Sequence, residues 1–127
     1  MKRTLILMLA VLLVALGLCG ASMALLDRAV DEAQEMRSEA ILAAEEGRGG
    51  EAKTRLLRLA EGWKRRAPVL ELLSSHDALH EVQSAIAEAQ VCLECEDHDD
   101  FLRMMAVLDG ALGHIRDAEA LSWSNLY

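Results

Sequence analysis

Two cysteines stand three residues apart, at Cys92 and Cys95, with His98 three residues further on. Thiols at this spacing occur in zinc sites, in redox proteins and in local disulfides. A structural zinc site needs a second pair of Cys or His ligands beside the first, and only one histidine, His98, stands close to this cysteine pair in the sequence. The two cysteines also fall near the predicted end of a helix, where the helix dipole disfavours a thiolate. We therefore predict free cysteines, with a local disulfide or a thiol redox function as the alternatives.

Three histidines form a second candidate for chemistry. His76 and His80 are one helical turn apart, so their imidazoles can point the same way. If the two helices that follow His76 pair as a hairpin, His114 lies within about one turn of His80. Three imidazoles with a carboxylate from Asp77 or Glu81 would suit Zn²⁺ or another divalent metal. This spacing is common by chance, so we predict structural histidines and keep the metal site as an alternative.

Motifs for covalent or phosphate chemistry are missing from the sequence. There is no glycine-rich phosphate loop and no G-x-S-x-G. His80 and Glu81 do not begin an H-E-x-x-H motif, because Ser84 stands where the second histidine would be. We predict that the protein is not an enzyme and has no catalytic residue, no cofactor, no resident metal and no small-molecule substrate.

The composition favours helices throughout. The 127 residues include 23 leucines and 20 alanines, but only 13 isoleucines, valines and threonines together, and 3% are aromatic. Strands need β-branched and aromatic side chains, whereas Ala and Leu are strong helix formers. The predicted fold is all-α, with an N-terminal transmembrane helix that continues into a small antiparallel bundle of two helical hairpins.

The first 26 residues resemble a membrane anchor. Lys2 and Arg3 precede an uncharged run from Thr4 to Leu26, which as a helix would be about 34 Å long and could cross a hydrocarbon core of about 30 Å. We predict a transmembrane helix over residues 1–26 that contacts lipid through residues 4–26. Cleavage of a signal peptide after Ala24, which would release a secreted helical protein, is the alternative.

Basic residues before the span and mostly acidic residues after it predict the orientation. The positive-inside rule puts the N-terminus in the cytoplasm and the remainder outside. Gly17 and Gly20 would permit close approach of a second copy within the membrane.

Residues 27–127 are predicted to form one acidic extracytoplasmic bundle. Their apolar residues recur at steps of three and four in four stretches, separated by glycines near Gly47, by Ser74-Ser75 and by a polar turn from Glu94 to Asp100. Pro68 is expected to kink or divide the second stretch, and Ser74 with Asp77 fits a capping box for the third.

The apolar positions of the two hairpins also align when one is shifted by 49 residues. Either the hairpins arose by duplication, or any two helical hairpins need apolar residues at such positions. The predicted core is Leu26, Ala29, Ala33, Met36, Ala40, Ala43, Ala52, Leu56, Leu59, Trp63, Leu70, Leu73, Leu79, Val82, Ile86, Ala89, Leu93, Phe101, Met105, Leu108, Leu112 and Ile115.

Charge is divided unevenly along the bundle. Residues 27–66 hold nine acids and nine bases, whereas residues 67–127 hold twelve acids against Arg103 and Arg116. An acidic surface of this kind excludes nucleic acid as a partner. The basic run Lys64-Arg65-Arg66 is expected to contact the acidic hairpin of the same molecule or the phosphates of lipids.

Several short motifs resemble a bacterial family called domain of unknown function 4363. They are Trp63, the pair His76-Asp77, and later His114-Ile115 with Glu119, followed by the tail Leu121-Ser122-x-x-Asn125-Leu126-Tyr127. Pro68, His80 and the cysteine pair depart from the family pattern and inherit no role from it.

The resemblance implies a bacterial membrane-anchored helical protein with no assigned activity. Genes of this family are often found beside a gene for another integral membrane protein. The resemblance therefore implies an integral membrane partner, with self-association as the alternative. His76, Asp77 and Asn125 would be structural. Trp123, Leu126 and Tyr127 are expected to dock on the bundle or, alternatively, on the partner. Together these features predict a single-pass protein of a bacterial cell membrane that acts as a non-enzymatic interaction module.

Overall fold

The structure is a computed structural model that describes the backbone of residues 1–126 and the side chains of residues 1–118. Its regular elements are four α-helices: α1 (Lys2–Glu45), α2 (Gly49–Leu73), α3 (His76–Glu94) and α4 (His98–Leu126). No strand occurs in this described part, as the leucine- and alanine-rich composition predicts. The predicted all-α class is confirmed.

The helices pack in the order in which they follow one another. Helix α1 packs against α2 and α4, and α3 packs against the same two helices. Among the described residues the diagonal pairs α1–α3 and α2–α4 do not pack together. Short connections make sequential helices antiparallel, so the body is an up-down-up-down four-helix bundle built from two hairpins.

The core consists of the apolar stripes predicted from the helical periodicity. All but three of the predicted positions are buried. Met36 and Leu93 are partly buried against the others, and Leu73, at the end of α2, is only partly buried. Each helix contacts two neighbours, so its buried face is wider than the stripe of single residues read from the sequence. Four further side chains are therefore buried as well: Val30, Ala85, Met104 and Ala111.

The two hairpins close with the same backbone turn, 49 residues apart. After α1, Gly47 N–H donates to the Ala44 carbonyl at 3.2 Å, and Arg48 N–H donates to the Ala43 carbonyl at 2.8 Å. After α3, the N–H groups of Glu96 and Asp97 make the corresponding bonds to Leu93 and Cys92, at 3.2 and 2.9 Å. This is the Schellman motif, in which one residue adopts a left-handed conformation. That residue is Gly47 in the first turn, with φ 78°, and Glu96 in the second, with φ 56°.

Introducing glycine at position 96 and removing it from position 47 should change the free energy of unfolding in opposite directions. A side chain with a Cβ is disfavoured in the left-handed region by about 1–2 kcal/mol, and glycine is not. Glu96→Gly is therefore expected to raise the free energy of unfolding by about 1 kcal/mol, and Gly47→Ala to lower it by about 1 kcal/mol. Thermal unfolding followed by circular dichroism measures both. Equal shifts in the same direction would contradict the assigned backbone conformations.

Helix α3 begins one residue later than the sequence predicts. The capping residue is Ser75, whose Oγ accepts a hydrogen bond from the N–H of Ala78 at 3.2 Å. The predicted capping box, with Ser74 as cap and Asp77 at the third position, is therefore wrong. The register moves because Ser74 N–H is held by the Leu70 carbonyl at 2.8 Å, at the end of α2. Asp77 instead lies in the first turn, where the helix dipole favours a carboxylate.

The two adjacent serines provide a matched test of the cap. Ser75→Ala removes the acceptor for Ala78 N–H and is expected to lower the free energy of unfolding by about 1 kcal/mol. Ser74→Ala removes no cap and is expected to change it by less than about 0.5 kcal/mol. Chemical denaturation of the two variants side by side gives the comparison, and a larger loss from Ser74→Ala would refute this cap assignment.

Pro68 does not divide α2. The helix runs unbroken from Gly49 to Leu73 with the proline inside it. Of the two effects expected of Pro68, a kink or a division, the division is therefore wrong. Pro68 lacks an N–H, and the carbonyl one turn earlier, on Lys64, therefore lacks that intrahelical donor. Both residues are exposed, so water can satisfy this carbonyl on the outer face of the helix.

The predicted roles at the end of α4 concern side chains outside the described part of the chain. This applies to docking by Trp123, Leu126 and Tyr127 and to the structural role of Asn125. The backbone of α4 is described as far as Leu126.

Candidate functional site

The largest apolar surface among the described residues is the N-terminal half of α1. The leucines, valines and other large apolar side chains from Leu5 to Leu18 are all more than half exposed, and the first core residue of the bundle is Leu26. Within the described residues, α1 is the one helix long and apolar enough to cross a membrane, and its most apolar stretch has no part buried in the protein. An N-terminal signal sequence satisfies the same criteria of length and composition.

No linker separates this apolar segment from the bundle. Helix α1 is continuous through Leu26 and Asp27 and ends only at Glu45. The segment Thr4–Leu26 accounts for about 34 Å of its length, and the remaining 19 residues line the bundle over about 28 Å. A membrane that surrounded the apolar segment would therefore lie directly against the end of the bundle.

The three candidate histidines lie at the surface of the second hairpin. The rings of His76 and His80 are stacked with centroids 6.5 Å apart, and Nδ1 of His114 lies 3.6 Å from a carboxylate oxygen of Glu81. The antiparallel pairing of α3 and α4 that was predicted to bring His114 near His80 is thus present. In the described part of the chain, however, no three His, Cys, Asp or Glu side chains are grouped so as to hold a metal ion.

The cysteine pair closes α3. Cys95 is the C-terminal cap of this helix and is exposed, and Cys92 is partly buried one turn earlier. Both thiols are free in the structure. Burial raises the pKa of the Cys92 thiol, and the nearby carboxylates of Asp100 and Asp97 raise it further. His98 begins α4 on the exposed surface.

The reactivity of Cys92 should reflect this raised pKa. Alkylation proceeds through the thiolate, so a raised pKa moves the rise in rate to higher pH. In a Cys19→Ser/Cys95→Ser variant, Cys92 is expected to react with iodoacetamide with a midpoint above that of a free cysteine measured alongside. Adding Asp100→Asn should move this midpoint down, because it removes one of the charges that oppose the thiolate. A midpoint below that of free cysteine would contradict the arrangement.

A groove of about 330 Å³ lies between α1 and α2 beside the bundle core. Trp63 forms part of its wall, and its Nε1–H is buried without a hydrogen-bond acceptor among the described residues. Arg66 spans the groove and pairs with Glu32 on α1. The basic run therefore has an intramolecular partner, but this partner lies on α1 and not on the acidic hairpin. A half-exposed pair of this kind contributes less than about 1 kcal/mol to stability.

Comparison with known families gives one match. The profile of the family described as Domain of unknown function (DUF4363) matches residues 21–126. The chain belongs to this family. No curated protein and no solved structure matches the chain significantly. The part of this DUF4363 chain that matches comprises the whole bundle and the last turns of the apolar segment.

Some of the residues that resemble the family lie in the core of the bundle, and others lie on its surface. Trp63 and Ile115 are buried in the bundle, whereas His76, Asp77 and His114 are exposed. The groove beside Trp63 in this DUF4363 protein was not predicted from the sequence. The one sign of the groove in the sequence is Arg66, a charged residue on the apolar stripe between Trp63 and Leu70.

Proposed function

We propose that this DUF4363 protein is a single-pass protein of a bacterial cell membrane, with its N-terminus in the cytoplasm and its bundle outside. The bundle binds or steadies an integral membrane protein through packing and charge, without covalent chemistry. The observation that carries the proposal is the exposed apolar segment of α1, which has the length of a membrane span and continues directly into the bundle.

The charges at the two ends of the apolar segment support the orientation. Lys2 and Arg3 precede it, and Asp27 and Asp31 follow it on the same helix. Basic residues are retained on the cytoplasmic side of a span. The bundle, including its acidic second hairpin, would then lie on the opposite side.

The charge of the second hairpin supports a protein partner. Its two arginines already contact acids of the same molecule, Arg103 with Asp100 and Arg116 with Asp27 and Asp31. The remaining carboxylates form a negative surface that anionic lipid headgroups repel. A neighbouring membrane protein with basic groups outside the lipid fits this surface and also has a transmembrane surface for α1 to contact.

Fractionation and mass measurement of the full chain test the placement. The protein is expected to remain with membranes after alkaline extraction, to float with vesicles, and to retain residues 1–24 in its intact mass. Protease added to intact spheroplasts should digest the bundle. A shortened chain in the soluble fraction would overturn the proposal and support the secreted alternative. Protection of the bundle until lysis would reverse the orientation.

Site-specific photo-crosslinking in intact membranes tests the partner. A crosslinker at Leu16 in the apolar segment, or at Val107 on α4, is expected to join the chain to an integral membrane protein. The same group at the exposed Leu57 on α2, which belongs to the charge-balanced hairpin, is the control. Adducts with the same chain alone at every position would overturn the partner and indicate a homo-oligomer.

A further inference from the structure

Contacts between the helices fix which residues lie at the same height along the bundle. Arg116 on α4 contacts both Asp27 and Asp31 on α1, at the end where the apolar segment joins the bundle. Further from that end, Nε2 of Gln34 donates to Oδ1 of Asp109 at 2.7 Å. Position 116 of α4 is therefore level with about position 29 of α1.

The other helices are placed by two more contacts. Arg66 on α2 pairs with Glu32 on α1, and His114 on α4 lies 3.6 Å from Glu81 on α3. Because α2 and α4 run antiparallel to α1, their residue numbers rise toward the membrane-facing end. Because α3 runs parallel to α1, its numbers fall toward that end.

The charges of all four helices stop at one level. In the part of α1 that belongs to the bundle, the charged residue nearest the membrane-facing end is Asp27, and residues 4–26 before it carry no charge. By the contacts above, the corresponding residues on the other helices all lie level with about positions 25–27 of α1, within one helical turn of Asp27. These residues are Glu71 on α2, Asp77 on α3 and Glu119 on α4.

Three uncharged segments lie beyond this level. One is the apolar segment of α1, the second is residues 72–75 at the α2–α3 turn, and the third is residues 120–126 on α4. Leu72 is 85% exposed, more than any leucine of the apolar segment. The backbone of α4 continues seven residues past Glu119, about 10 Å further along α1.

We infer that the membrane-facing end of the bundle is embedded in the outer part of the bilayer, through the interfacial layer and into the adjoining acyl chains. The last turns of α4 and the α2–α3 turn enter the lipid beside α1, to about the depth of positions 18–24. This inference rests on the proposed membrane placement of α1. The partner is a lipid surface, because charge disappears from all four helices at the same height and an exposed leucine lies beyond that height. The backbone of α4 at position 123, which carries a tryptophan, falls in this embedded part, close to the interface at which tryptophan is enriched in membrane proteins.

The two tryptophans provide a test of depth. Position 123 is level with about position 21 of α1, inside the apolar segment. Trp63 is level with about position 35, roughly 13 Å beyond Leu26, and is buried in the bundle. Full-length protein is reconstituted in phosphatidylcholine vesicles whose acyl chains carry bromine near the headgroup, and tryptophan emission is compared with that in unbrominated vesicles.

The wild type is expected to lose a large fraction of its emission, about half, and Trp123→Phe is expected to lose little. Because Trp63 is a core residue, the comparison uses Trp123→Phe and needs no substitution at Trp63. If the protein floats with the vesicles but both forms are quenched equally little, the end of the bundle is not embedded in the lipid. The transmembrane placement of α1 would be unaffected by that result. If the protein does not float with the vesicles, the proposed placement of α1 itself has failed.

A second measurement uses Leu72 and does not depend on α4. In a variant with its three native cysteines changed to serine, Leu72→Cys is labelled with an environment-sensitive fluorophore, and Leu57→Cys is labelled as the control. The label at position 72 is expected to show blue-shifted emission in vesicles, and the label at position 57 to show emission typical of water. Water-like emission from both sites in protein that floats with the vesicles would overturn the inference.

Discussion

Two arginines in the middle of the apolar segment of α1, Leu13→Arg with Leu16→Arg, are expected to move the full-length protein from the membrane fraction to the soluble fraction. The two leucines are 62% and 55% exposed, so their replacement removes no packing inside the protein. An arginine near the centre of a spanning helix costs about 2.5–3.5 kcal/mol on insertion scales, so the pair costs about 5–7 kcal/mol. Alkaline extraction followed by vesicle flotation measures the change.

The control is the same chemical change outside the span. Leu57 on α2 is 51% exposed, close to the exposure of Leu16, and Leu57→Arg should leave the protein in the membrane fraction. Helical circular dichroism of the purified variants should match that of the wild type, because all three positions are on the surface. If the double variant remains with membranes after extraction, the apolar segment of α1 does not hold the protein there.

Phe101→Ala is expected to lower the free energy of unfolding of the bundle by about 3–5 kcal/mol. The Phe101 side chain is fully buried in the first turn of α4, where the core meets the second Schellman turn. Truncation to alanine removes the apolar transfer energy of the ring and leaves a cavity that the neighbouring helices fill only in part. In a bundle of this size, the loss should lower the midpoint of thermal unfolding by more than about 12 °C.

Val107→Ala provides the comparison on the same helix. Val107 is 43% exposed, and its truncation should change the free energy of unfolding by less than about 0.5 kcal/mol. Both variants are measured as full chains in the same detergent, so the apolar segment contributes equally to each. Similar small losses from the two variants would mean that the core does not close around Phe101 as the structure has it.

The secondary structure and most of the core could be predicted from the sequence because they depend on local regularities. Apolar residues at steps of three and four mark one face of each helix, and clustered glycines mark a break. This regularity placed Leu56, Phe101 and Leu108 in the core. It also placed the cysteines near a helix end and His114 near α3.

Features set by contacts between helices could not be predicted in the same way. Ser74 and Ser75 are equivalent as caps until the hydrogen bond from Ser74 to the end of α2 is known. Glu96 adopts a left-handed conformation that its residue type does not suggest, because the packing of α3 on α4 fixes the turn. The pairing of Arg66 with Glu32 depends on how α1 and α2 are aligned along the bundle. The common level at which the charged residues end depends on the alignment of all four helices.

Because α1 is one continuous helix from the apolar segment into the bundle, a tilt of the apolar segment is transmitted to the bundle. If the segment crosses lipid, a change in bilayer thickness that tilts α1 also tilts the bundle. The turn at Gly47 lies about 30 Å beyond Leu26, so a tilt of about 10° would displace it sideways by about 5 Å. The position of the far end of the bundle would then depend on the thickness of the surrounding bilayer.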